Sequence, residues 1–169
     1  MYDVVAIGEL LVDFACRSTD DDGYPVLAAH PGGAPANFLA VLARYGLKTA
    51  LLAKVGNDAF GRLLRRTVER EGIDTAGVVV DDAAFTTLAF VTRDFSFARK
   101  PGADMLLRYD ELDLSLIDRT RVFHFGSVSM TDEPSRDATR RAAAYARSRG
   151  GLLTYDPTLR IPLWKDLAQ

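Results

Sequence analysis

The segment with the clearest chemical signature is a pair of glycines that runs directly into a predicted helix. Gly32 and Gly33 lie in the string PGGAPAN, which is followed by an apolar run. Glycine has no Cβ, so a ligand can approach its backbone closely, and the side chain of Asn37 offers both a hydrogen-bond donor and an acceptor. The pattern fits a site for a hydroxyl-rich ligand. A tight turn before a buried helix explains the same residues equally well.

The elements around this segment predict an α/β fold. Short β-branched runs that end in glycine, such as DVVAIG (3–8) and TALLAKVG (49–56), are typical of buried strands in a parallel sheet. One helix is predicted to begin at Pro35 and another after Asp58. Strands that alternate with helices indicate a parallel sheet. Later strands are predicted at 121–126 and 152–156, with a helix from Asp132 to about Arg149 between them.

Composition restricts the class of ligand. The chain has 169 residues, of which 48% are hydrophobic and 26% charged, as in average globular proteins. A net charge of -2 without a long basic run argues against nucleic-acid binding, and no apolar run approaches membrane-spanning length. Cys16 alone cannot form an internal disulfide. We therefore expect a cytoplasmic protein with a small-molecule ligand, no nucleic-acid partner and no membrane contact.

The motifs, taken in order, carry a family resemblance. GGAPAN is followed by Gly46 and Gly56, and the chain also contains GELLVDF, KVGNDAFG, FARKPGAD, HFGSVSMTDEP and YDPTLRIPLW. In these features the sequence resembles the PfkB-type, ribokinase-like carbohydrate kinases, and among them the fructokinases. The resemblance implies a ribokinase-like parallel sheet flanked by helices, with a small β lid. Residues 1–169 would be the N-terminal part of one such domain, with lid strands near 10–16, 24–30 and 86–99.

The resemblance also implies which residues hold the sugar. The expected substrate-binding residues are Asp13, Gly32, Gly33, Asn37 and Arg99. A carboxylate such as Asp13 can accept hydrogen bonds from two hydroxyls, which agrees with that role. For Arg99 a surface arginine without contact to the sugar is an equal alternative.

A second group matches the family's Asp-x-Asn-x-Arg element at the end of a sheet strand, where open α/β sheets bind ligands. Asp156, Thr158 and Arg160 occupy its positions and are the candidates for phosphate contact or for the metal shell. Arg160 could meet phosphate oxygens, and Asp156 could help to orient it. Threonine stands at 158 where the family usually has asparagine, so an amide contact is not expected there.

The implied activity is transfer of the ATP γ-phosphate to a hexose hydroxyl, with ATP and Mg²⁺ as cofactors. The family supplies its catalytic base and anion hole through a Gly-Ala-Gly-Asp segment, and further phosphate and metal contacts through an Asn-x-x-Glu element. Neither string occurs here, and neither does a P-loop. We therefore expect the sugar-binding N-terminal half of a fructokinase-like enzyme. It would contain no catalytic residue or metal ligand of its own, with the base beyond Gln169, and would not phosphorylate sugar unaided.

Two alternative hypotheses concern the function of the chain. The chain could be a non-catalytic module that uses the lid to bind sugar or to dimerise. If the chain is instead part of a kinase, the expected assembly is also a homodimer that forms through the lid. A dinucleotide-dependent dehydrogenase is disfavoured, because Gly8-Glu9-Leu10 follows the first strand in place of G-x-G-x-x-G.

Overall fold

The computed structural model describes residues 1–91 and 95–164. In chain order, the strands are β1 (Tyr2–Ile7), β2 (Leu11–Thr19), β3 (Pro25–Gly32), β4 (Thr49–Gly56), β5 (Ile73–Asp74), β6 (Val78–Asp81), β7 (Leu88–Val91), β8 (Phe95–Ala98), β9 (Thr120–Gly126) and β10 (Leu152–Asp156). The α-helices are α1 (Ala34–Arg44), α2 (Ala59–Arg70), α3 (Leu114–Asp118) and α4 (Ser135–Ser148). Short 3-10 helices lie at Ala103–Leu106, Tyr109–Glu111, Val128–Met130 and Ile161–Leu163.

The main sheet is parallel throughout. Its order is β10-β9-β1-β4-β5, and β6 also pairs with β4. The α/β prediction is therefore confirmed. Parallel pairing places the carboxyl ends of β1, β9 and β10 side by side at one edge of the sheet, which is the edge where such sheets bind ligands.

Both faces of this sheet are buried, as parallel sheets require. Side chains alternate along β1: Val4 and Ala6 pack in a cluster with residues of α1 and α2, while Val5 and Ile7 pack in a second cluster with residues of α3 and α4. All residues of β4 are buried as well, including Lys54, whose ammonium group pairs with Asp81 and Glu111. The two helical layers hold the carboxyl ends of the strands in fixed positions.

A second, four-stranded sheet stands beside the main one. Its order is β3-β2-β7-β8, in which β2 and β3 are antiparallel, β2 and β7 parallel, and β7 and β8 antiparallel. Residues 92–94, which fall within the lid segment predicted near 86–99, lie outside the described residues. We call this sheet the lid. The chain enters it directly after β1 and leaves it at the start of α1, so the two sheets meet where the glycine pair lies.

The segment from residue 99 to residue 113 contains two short 3-10 helices. Leu107 and Leu112 from this segment are buried in the second core cluster. Among the described residues, no helix combines the length and the apolar character needed to cross a membrane.

Candidate functional site

A cavity of about 160 Å³ opens where the lid meets the carboxyl edge of the main sheet. Residues that follow β1, β9 and β10 line it from the sheet, and residues of β2 and β8 line it from the lid. Six of the residues predicted from sequence lie together on its wall: Asp13, Gly33, Asn37, Asp156, Thr158 and Arg160. These residues are up to 147 positions apart in the chain (160 − 13) and are brought together only by the fold.

Asp13 presents its carboxylate from the lid. It lies on β2 opposite His30 of β3, and it is half-buried. Burial raises the pKa of Asp13, while electrostatic interactions with nearby Arg160 and His30 oppose the rise. Gly32 does not line the cavity, but a Cβ at Gly32 would overlap the Asp13 carboxylate. The first glycine of the pair therefore makes room for Asp13, and a direct contact between Gly32 and the ligand stays a prediction.

Gly33 and Asn37 come from the first turn of α1. Gly33 has φ of 118°, a left-handed conformation that favours glycine, and a Cβ there would overlap the backbone oxygen of Glu9. The turn into α1 is thus tight enough to require glycine. The backbone N–H of Asn37 donates to the Gly33 carbonyl at 3.0 Å. Asn37 is exposed and lines the cavity.

Asp156, Thr158 and Arg160 follow β10 at the opposite wall. The backbone N–H and the hydroxyl of Thr158 both donate to Oδ1 of Asp156, at 2.9 and 2.7 Å. The hydroxyl bond, with the further Thr158 N–H bond, lowers the pKa of Asp156 against the effect of burial. Threonine at 158 therefore acts within the loop, because its hydroxyl is used to hold the Asp156 carboxylate.

Sequence reasoning missed several cavity residues, among them Glu9, Phe97 and Ser127. Glu9 is 4% exposed, and its Oε1 accepts a hydrogen bond of 3.0 Å from the backbone N–H of Ala34. Ser127 donates its hydroxyl to the carbonyl of Thr158 and so joins the ends of β9 and β10. A usable signal exists for both residues, since each is a polar residue just after a buried strand whose carboxyl end faces the ligand edge.

Arg99 is not on the cavity wall. It is 5% exposed, so the surface alternative is wrong, and its guanidinium pairs with Asp104 at 2.7 Å. Further bonds reach the Thr131 hydroxyl at 2.9 Å and the Val128 carbonyl at 3.3 Å, and Asp104 also accepts from the Thr87 hydroxyl. The structure thus places Arg99 in a buried polar cluster, where its guanidinium is bonded to Asp104, Thr131 and Val128.

Comparison with known proteins decides the family. The model of the pfkB family carbohydrate kinases matches residues 1–169. The chain belongs to this family. Fructokinase-1 of Zea mays is 46% identical over 169 residues, which are 95% of this chain and 52% of that protein. The chain spans about half the length of the curated relatives that it matches.

Solved PfkB-type structures have the same fold. Fructokinase from Xylella fastidiosa superimposes with a TM-score of 0.93 and 30% identity, over 99% of this chain and 54% of that one. An E. coli protein described as Ribokinase II, solved with ATP and Mg²⁺, superimposes with a TM-score of 0.87 and 30% identity, over 95% and 54%. The prediction of a ribokinase-like architecture is confirmed.

The residues present do not complete a nucleotide or metal site. A cavity of about 160 Å³ is smaller than the roughly 300–1,000 Å³ typical of pockets for drug-sized ligands and cofactors. The described ranges 1–91 and 95–164 contain no group of three or more His, Cys, Asp or Glu side chains placed to hold a metal ion.

Proposed function

We propose that this chain is the sugar-binding N-terminal part of one ribokinase-like domain in an ATP-dependent sugar kinase, with fructose as the first substrate to test. The observation that carries the proposal is the small cavity that Asp13, Gly33 and Asn37 line together with Asp156 and Arg160. Family membership and fructokinase relatives at 42–46% identity support this assignment.

The cavity residues form two groups with different proposed roles, one on the lid side and one on the main-sheet side. On the lid side, the Asp13 carboxylate accepts hydrogen bonds from sugar hydroxyls, and Asn37 offers both a donor and an acceptor. Gly33 lets the ligand approach the start of α1 without a side chain in between. On the sheet side, Arg160 provides a guanidinium that suits phosphate oxygens. Holding the acceptor hydroxyl in one orientation is this chain's contribution to phosphoryl transfer, which depends chiefly on positioning and electrostatics.

The first test follows phosphoryl transfer directly. The whole protein, of which this chain is proposed to be the N-terminal part, is incubated with fructose, ATP and Mg²⁺ and is expected to release ADP in a fructose-dependent manner, whereas residues 1–169 alone are expected to release none. Omitting fructose serves as the control for ATP hydrolysis by water. If calorimetry shows fructose binding without ADP release, the protein is a non-catalytic sugar-binding module and the kinase proposal is wrong.

Asp13→Ala is expected to weaken sugar binding by about 10- to 150-fold, because a hydrogen bond to a charged group contributes about 1.5–3 kcal/mol. Calorimetric titration with fructose measures the change. Asp21→Ala is the matched control, since Asp21 is an exposed carboxylate in the turn between β2 and β3. Equal affinities in the Asp13 variant and the unmodified protein would show that Asp13 does not bind the sugar.

We also propose that two lids pair to form a homodimer and that the protein is cytoplasmic. Exposed apolar side chains on the lid, Val26 at 45% and Val91 at 38% exposure, support the pairing. One cysteine in 169 residues is consistent with a compartment where structural disulfides are rare.

A further inference from the structure

Glu9 carries an unsatisfied oxygen at the cavity. Its Oε2 is buried and has no hydrogen-bond partner, whereas Oε1 is held by the backbone N–H of Ala34 at 3.0 Å. The residue is 4% exposed and lines the cavity. A buried carboxylate oxygen without a partner is energetically unfavourable, because it has lost its hydrogen bonds to water and no protein group replaces them.

The position of Glu9 fixes its carboxyl in space. It lies between the end of β1 and the start of β2, where the chain passes from the main sheet to the lid. The bond to Ala34 ties it to the first residue of α1, where the chain returns from the lid. Its backbone oxygen lies against Gly33 so closely that a Cβ there would overlap it. The carboxyl therefore cannot turn away to solvent without breaking this junction.

We infer that Glu9 is a further substrate-binding residue, whose Oε2 accepts a hydrogen bond from a ligand hydroxyl other than the hydroxyls held by Asp13. The inference rests on the proposed function, since it requires a polyhydroxylated ligand in this cavity. A hydroxyl is the matching partner because it can donate to the oxygen and is small enough to enter. Two carboxylates on one wall, Asp13 from the lid and Glu9 from the junction, would read the positions of separate hydroxyls and so contribute to sugar specificity.

The electrostatic surroundings agree with this role. Burial raises the pKa of Glu9 to about 7, and the backbone N–H groups of Ala34 and of Glu9 itself limit the rise. The charged groups that act on it are Asp104, which raises the pKa, and Arg99, which lowers it. Other charged groups of the same cavity are Asp13, Asp156 and Arg160. A hydroxyl that donates to Oε2 stabilises the carboxylate, so sugar binding should lower the pKa of Glu9.

The test measures how one substitution at Glu9 changes the affinities of a series of ligands. Calorimetry measures the affinities of fructose and of its monodeoxy analogues for the protein as expressed from its gene and for Glu9→Gln. Glutamine keeps an oxygen for Ala34 and replaces Oε2 with an amide that cannot accept. We expect Glu9→Gln to bind fructose about 10- to 100-fold more weakly, but to bind one monodeoxy analogue as well as the unmodified protein does. Glu133→Gln, at a side chain that is 60% exposed, is the control and should leave every affinity unchanged.

If Glu9 had only a structural role, Glu9→Gln would weaken the binding of all ligands equally. That result would overturn the inference but leave the proposed function standing. If the unmodified protein bound no sugar at all, both would fall. Carbon-detected NMR titration of the Glu9 carboxyl in the unmodified protein needs no variant. There the inference requires that saturating fructose lower the pKa of this group, and an unchanged or higher pKa would refute it.

Discussion

Asp104→Ala is expected to lower the free energy of unfolding by about 3–5 kcal/mol, the usual cost of removing one partner from a buried ion pair. Side chains of Arg99 and Asp104 are 1% and 2% exposed, and their closest atoms are 2.7 Å apart. Removing the carboxylate leaves the guanidinium as an uncompensated buried charge. It also takes away the acceptor of the Thr87 hydroxyl. Urea denaturation of the variant and the unmodified protein measures the loss.

A double variant separates two contributions to this loss of stability: the loss of the ion pair between Arg99 and Asp104, and the burial of an unpaired Arg99 charge. Arg99→Met together with Asp104→Leu replaces both charged groups with apolar side chains, and we expect it to be clearly more stable than Asp104→Ala. Sugar affinity of the folded double variant distinguishes the structural role from the predicted substrate role. Because Arg99 is not on the cavity wall, that affinity should stay within a few-fold of the unmodified value. A loss as large as that of Asp13→Ala would place Arg99 in the sugar site after all.

Gly33→Ala is expected to cost about 3 kcal/mol or more in stability and to abolish measurable sugar binding. A non-glycine residue at φ of 118° is strained by roughly 1–3 kcal/mol, and the added Cβ would overlap the Glu9 backbone oxygen. Relief requires the junction between β1 and α1 to open, which costs a further 1–3 kcal/mol or so, as overpacking does. The same movement displaces Asn37 and the start of α1 from the cavity.

Gly46→Ala is the matched control at the other end of α1. Gly46 also has a left-handed φ, 84°, but a Cβ there meets no atom within 4 Å. Its substitution should therefore cost only the backbone strain of about 1 kcal/mol and leave sugar affinity unchanged. Thermal unfolding and fructose titration of both variants test the difference. If the two alanine variants behaved alike, the close approach of Gly33 to Glu9 would have no energetic consequence.

Local patterns in the sequence were sufficient to predict the main elements. Runs such as DVVAIG and TALLAKVG became buried parallel strands, because continuous apolar character suits a strand covered on both faces. Asp58 caps α2 by accepting from the N–H of Gly61 at 2.8 Å, as its position before the helix predicted. Signals of this kind depend on neighbours only a few residues apart, so they are visible without a fold.

The motif residues were predicted as a set because they share a family pattern, and the fold gathers six of them on one wall. Their sequence separation hid how they relate to each other. Gly32 proved to accommodate Asp13, a residue 19 positions earlier (32 − 13), through the pairing of β2 with β3. Such a relationship depends on strand register, which turn geometry and packing determine.

Only the tertiary structure decided the roles of Arg99 and Glu9. The sequence determined an α/β chain with a polar, glycine-lined ligand edge, since strand and helix signals are local. Nothing in the neighbouring sequence indicates that an arginine in a loop is buried. Arg99 is buried with hydrogen bonds to Asp104 and to Thr131, which is 32 residues away. Glu9 likewise became an acceptor with one free oxygen because α1, 25 residues later, supplies only one N–H to it. Partners of buried polar groups come from whichever distant segments the packed core brings beside them, and that packing is a property of the whole fold.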